Sequence, residues 1–158
     1  MWNKIKTYLI SVAIALGVGG LSALITKDSM NIYERIVMPP LAPPGILFPI
    51  VWTMLYTLMG ISSARIFIKG KGGDENSGGA LTVYTFQLLV NFLWSIIFFN
   101  MEAFLFAFVW IILLWVLIIL MIRKFYEIDP VAAWLQVPYL LWVTFAAYLN
   151  LAIYILNR

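Results

Sequence analysis

"FLFAFVWIILLWVLIILMI", residues 104–122, contains no charged residue, no proline and no glycine. An α-helix needs about 20 such residues to cross the hydrocarbon of a bilayer. The rest of the chain shares this bias. Of its 158 residues, 64% are hydrophobic and 11% charged, with a mean hydropathy of +0.99. A soluble domain of this length cannot bury so much apolar surface, so the composition implies an integral membrane protein in contact with a lipid bilayer. Backbone groups in lipid must pair within their own segment, which makes helices the economical way across. Four further apolar segments flank the first, at about 8–25, 44–68, 81–99 and 131–156. The expectation is an all-α fold, a transmembrane bundle of five helices forming one domain over residues 1–158.

The stretches between them carry the turn signals. Lys4 and Lys6 ahead of the first segment resemble the start of a secretory signal, but the apolar run behind them is longer than a usual signal core, and a retained span is expected. Pro44 suits the first turn of the second helix, where a missing N–H is harmless. "KGKGGDENSGGA", residues 69–80, reads as a hydrophilic loop. "NMEA", residues 100–103, is short enough to imply antiparallel neighbours. In "RKFYEIDP", residues 123–130, Asp129 is placed to cap the fifth helix with Pro130 behind it.

Charge supplies an orientation. Lys4, Lys6, Arg65, Lys69, Lys71, Arg123 and Lys124 fall on one side, and Lys27, Arg35 and Arg158 on the other. Seven cations against three place the N-terminus in the cytoplasm. The net charge of +3 comes from these helix ends, so no nucleic-acid partner is expected. The chain has neither Cys nor His, which removes disulfides, thiolate chemistry, imidazole metal sites and Ser-His nucleophiles. Neither a metal nor a cofactor is expected. No acidic or basic residue stands near the middle of a span, so the ion relay of a coupled transporter is missing, and Asp28, Glu34, Glu102 and Asp129 lie at edges or in loops, away from any acid-base site.

What the spans do carry is aromatic and neutral polar residues at helical spacing. In the second, Phe48, Trp52, Tyr56 and Met59 step by 4, 4 and 3. In the third, Gln87, Asn91, Trp94 and Phe98 step by 4, 3 and 4. In the fifth, Tyr139, Trp142, Ala146 and Leu149 step by 3, 4 and 3, with Asn150 beside them. Three such stripes can converge on a ligand pocket with aromatic walls and a few orienting polar groups. The competing account is packing: Gln87 and Asn91 as bonds between helices, and Trp110, Trp115 and Tyr154 as a belt at the membrane surface. Ala15, Gly19 and Ala23, with Gly60 and Ala64, form small-residue faces that suit either the bundle or a dimer.

The stretches "PPLAPPGILFPIVWTMLYTLMG" (39–60), "QLLVNFLWSIIFF" (87–99) and "DPVAAWLQVPYLLWVTFAAYLN" (129–150) resemble the three signature stretches of the TspO family, the tryptophan-rich sensory proteins, translocator proteins or peripheral-type benzodiazepine receptors. The resemblance implies a receptor or sensor, usually a homodimer, with a pocket closed by the first loop. Its expected ligands are porphyrins, notably protoporphyrin IX, and other hydrophobic small molecules such as isoquinolines and benzodiazepines. Carried onto this chain, the pocket includes Trp52, Asn91, Trp142, Ala146 and Leu149. Leu41 stands where a tryptophan is common, and Ile46 replaces another common aromatic. Arg35 in the first loop is the candidate cation for ligand carboxylates. The resemblance also implies a bacterial cytoplasmic membrane. It offers two alternatives to a receptor: light- and oxygen-dependent porphyrin degradation, with Trp52 and Trp142 as the catalytic candidates, or a passive carrier of hydrophobic molecules. "LNLAIYILNR" (149–158) fits a loose sterol-binding pattern.

Overall fold

A computed structural model describes residues Met1–Arg158. Five helical stretches are long and apolar enough to cross a membrane, and the structure contains no strand. The first, α1 (Trp2–Thr26), ends in a 3-10 turn over Lys27–Ser29 and is followed by the short α2 (Ile32–Arg35). Residues 36–46 form an irregular loop rich in proline.

The helix α3 spans Leu47–Lys71, so it starts three residues later than the sequence suggests. Leu47 N–H donates to the Pro44 carbonyl and Phe48 N–H to that of Gly45, a turn that precedes the helix. Pro49 takes the first-turn place expected of Pro44, among N–H groups that have no intrahelical acceptor. At the other end the hydrophilic stretch is mostly helical. α3 runs through Lys71 and α4 (Ser77–Ser95) begins at once after residues 72–76. The Ser77 hydroxyl donates to the Ile66 carbonyl at 2.9 Å, pinning the start of α4 onto α3. A π-helical turn, Ile96–Asn100, closes α4.

The longest uninterrupted apolar run is α5 (Phe104–Ile128), which continues through the charged stretch after Ile122 because nothing there breaks a helix. Asp129 stops it with extended backbone, and its carboxylate accepts the Val131 N–H at 3.1 Å, capping α6 (Pro130–Leu135). The last span is therefore two helices, with a break at Gln136 before α7 (Val137–Leu156). Pro138 sits in the first turn of α7, where its missing N–H is tolerated.

Packing follows the small residues. α1 lies most closely on α3, where a Cβ on Gly60 would come within 2.5 Å of the Val12 Cα. Ala15 and Ala64 are fully buried, so much of both small-residue faces serves contacts inside the chain. α5 packs on α4, α6 and α7. α6 is tied to α3 by the Ser62 hydroxyl on the Ala132 carbonyl at 2.7 Å, and by an Arg65–Asp129 ion pair at 2.6 Å. Beyond the break, α7 keeps to α5 and makes no comparable packing on α3. The indole N–H groups of Trp110 and Trp115 donate to the Val90 carbonyl (2.8 Å) and the Thr144 hydroxyl (2.9 Å), which join α5 to α4 and α7.

Candidate functional site

The space between α3 and α7 is a cavity of about 540 Å³. α1 walls one side with Gly19, Ser22, Ala23 and Thr26, small residues that leave the room. The connection after α1 contributes Met30, α2 contributes Tyr33 and Glu34, α3 contributes Phe48, Trp52 and Tyr56, and Trp94, Trp142 and Ala146 complete the wall from α4 and α7. Of the stripe residues, Phe48, Trp52, Tyr56, Trp94, Trp142 and Ala146 are brought together on this cavity. Gln87, Asn91, Phe98, Tyr139 and Leu149 are buried behind it.

The aromatic rings form a connected wall. Trp52 lies between Tyr56 (5.6 Å between centroids) and Tyr139 (6.2 Å, edge-on), and Phe48 meets Trp142 edge-on at 5.9 Å. Tyr33 stacks on Phe48 at 5.3 Å with 12° between planes, docking the loop on α3. Such pairs contribute about 0.5–1.5 kcal/mol each beyond their buried area.

The neutral polar groups behind the wall bond mostly to one another. Tyr139 donates its hydroxyl proton to Gln87 Oε1 at 2.7 Å, and Asn91 Nδ2 donates to the Tyr56 hydroxyl at 3.2 Å. Trp94 Nε1 donates to Asn150 Oδ1 at 3.0 Å, while Asn150 Nδ2 donates to the Phe104 carbonyl at 2.8 Å. Two donors here are left without a partner: Gln87 Nε2 and Trp142 Nε1 are both buried and have no acceptor in the chain.

The loop closes one end and is held from several directions. Val37 N–H donates to Asn157 Oδ1 at 2.8 Å, and Asn157 Nδ2 donates back to the Val37 carbonyl at 2.9 Å. Tyr148 donates its hydroxyl to the Pro40 carbonyl at 2.8 Å. Arg35 points to Glu102 in the turn before α5, at 3.4 Å, and does not line the cavity. Leu41 has φ +70°, a left-handed conformation that costs a residue with a Cβ about 1–2 kcal/mol.

The α1 wall and Glu34 went unrecognised in the sequence. Gly19, Ala23 and Thr26 do show helical spacing, but small residues signal close packing as readily as open space. Glu34 is the one charged residue of the wall, so the wall holds no acid-base pair. A second cavity of about 540 Å³, among Ile14, Leu21, Phe67 and Leu88 on α1, α3 and α4, is a nearly all-apolar groove between helices.

Comparison with known proteins agrees with this architecture. The model of the TspO/MBR family matches residues 10–156. The tryptophan-rich protein TspO of Chlorobaculum tepidum is 37% identical over 158 residues, 99% of each chain. The tryptophan-rich sensory protein of Cereibacter sphaeroides is 33% identical over 149 residues, 94% of this chain and 88% of that one. The translocator protein of Homo sapiens is 29% identical over 153 residues, 97% and 89% of the two chains. With five membrane-spanning helices and matches over nearly its full length, this chain belongs to the TspO/MBR family.

Proposed function

We propose that this membrane protein is a receptor or sensor that binds a porphyrin, or a similar apolar aromatic molecule, in the cavity between α1, α3, α7 and the loop. The observation that carries the reading is a cavity whose wall brings together Phe48, Trp52, Tyr56, Trp94 and Trp142. Its volume of about 540 Å³ is in the range of small-molecule sites. A flat macrocycle would gain by stacking or edge contact with Trp52 and Trp142. The names of two relatives, a sensory protein and a translocator, support binding of a signal or cargo.

The test is titration of detergent-purified protein with protoporphyrin IX in the dark, followed by tryptophan quenching. Saturable binding weakened about tenfold by Trp142→Ala is expected, from loss of stacking and of apolar contact together. Binding that is absent or indifferent to this change refutes the assignment. A second reading, light-dependent porphyrin degradation, is favoured by the presence of both Trp52 and Trp142 in the wall. Loss of porphyrin absorbance under illumination in air, abolished by Trp52→Phe or Trp142→Phe, would support it; stable absorbance would remove it. Net flux into proteoliposomes, independent of light, would instead mark a carrier. We further propose a homodimer in a bacterial cytoplasmic membrane with its N-terminus inside. The excess of cations on the side of Lys4 and Lys124 supports that orientation.

A further inference from the structure

We infer that the cavity selects its ligand by charge, taking uncharged or amine-bearing aromatic molecules over dicarboxylate ones, and that Glu34 sets this preference. The inference rests on the cavity being the ligand site. Its place in the first loop makes Arg35 the sequence's candidate partner for ligand carboxylates. The structure arranges the two neighbours the other way round: Glu34 lines the cavity, while Arg35 reaches to Glu102 at 3.4 Å, outside it.

No Lys or Arg stands in the wall. The adjacent Lys27 and Asp28, on the 3-10 turn after α1, do not line it either. The remaining polar wall is neutral. The Thr26 hydroxyl gives its proton to the Ser22 carbonyl at 2.9 Å, which leaves its oxygen to accept. A carboxylate near the loop would therefore meet a like charge and no cation, whereas an ester, an amide or an ammonium group meets no such penalty. Glu34 is solvent-exposed, so the effect is screened by salt. For one or two charges at the mouth the expected discrimination is about 3- to 10-fold.

The experiment holds the macrocycle constant and changes its charge. Protoporphyrin IX and its dimethyl ester are titrated in the dark against wild type, Glu34→Gln and Arg35→Gln in the same detergent. The ester partitions more strongly into micelles, but that contribution is common to all three proteins and cancels when affinity ratios are compared. Glu34→Gln should tighten the diacid about 3- to 10-fold while leaving the ester unchanged, and should do so less at high salt. Arg35→Gln should leave the ratio as it is. A ratio unaffected by Glu34→Gln, or a diacid weakened tenfold by Arg35→Gln, overturns the inference while the ligand site stands. If neither porphyrin binds any of the three proteins, the porphyrin assignment falls and this one with it.

Discussion

Gly19→Ala should damage the cavity through a single methyl group. A Cβ at this position would lie 2.5 Å from both Cδ2 and Cε2 of Tyr56, where ordinary contact begins at 3.4 Å, so the ring must retreat by about 1 Å. It has little room to do so: Tyr56 is 6% exposed, its hydroxyl accepts from Asn91 at 3.2 Å, and Trp52 stands 5.6 Å away across the cavity wall. Overpacking of this kind costs about 1–3 kcal/mol. Part should appear as a lower melting temperature, about 2–4 °C for each kcal/mol. If the displaced ring narrows the cavity, ligand affinity should fall about tenfold, equivalent to roughly 1.4 kcal/mol. Gly20→Ala is the control, because a Cβ there meets nothing within 4 Å. Tyr56→Leu combined with Gly19→Ala should recover part of the stability, giving a coupling of about 0.5–3 kcal/mol in a double-mutant cycle. Thermal melts in detergent and the dark titration supply both readouts. If Gly19→Ala melts and binds like Gly20→Ala, the contact between α1 and Tyr56 does not shape the site.

The Asp129 carboxyl is raised by burial but lowered by the Arg65 hydrogen bond and charge, the Val131 N–H and the Lys69 charge, and the lowering prevails. The folded protein thus holds this proton less firmly than the unfolded chain. Its contribution to stability is full above the ordinary value of 3.8 and is lost as pH falls through the lower folded value. Wild-type melting temperature should decline over that acidic window, whereas Asp129→Asn should start roughly 5 °C lower at neutral pH and lack that component of the decline; parallel curves would refute this. Asn157→Ala releases both the N–H and the carbonyl of Val37. Ligand dissociation measured by stopped flow should accelerate about 3- to 10-fold, and an unchanged off-rate would show that this tie does not hold the loop closed.

The existence of the five helices was legible because lipid leaves the chain few alternatives, and long apolar runs announce themselves. Their ends were less legible because tertiary contacts decide them. Ser77 begins α4 where its hydroxyl can reach the Ile66 carbonyl across the loop, a partner that local sequence does not reveal. Lys, Arg and Glu are good helix formers, so the membrane surface near Ile122 was no reason for α5 to stop there. Asp129 and Pro130 were readable because capping is local, and the structure uses both as their chemistry suggests. Pro138 has no N–H to give inside a continuous helix, and the chain breaks two residues earlier, at Gln136.

The cavity was harder to read, since helical spacing identifies a face but not how deep each residue on it lies. Within an apolar bundle, neutral polar side chains on an inner face are claimed by their neighbours first, because an unpaired buried amide or hydroxyl costs about 1–3 kcal/mol. Gln87 Oε1 is taken by Tyr139, Asn91 Nδ2 by Tyr56 and Asn150 Oδ1 by Trp94, with Gln87 Nε2 left unpaired. These residues hold the wall in shape, and rings and small side chains are left to form its surface. The same competition separates Trp94 from Trp142, which are alike in spacing: Trp94 meets Asn150 and is satisfied, while Trp142 Nε1 is buried without an acceptor. The break at Gln136 does more than redirect a helix, since beyond it α7 keeps to α5 and the cavity lies between α7 and α3.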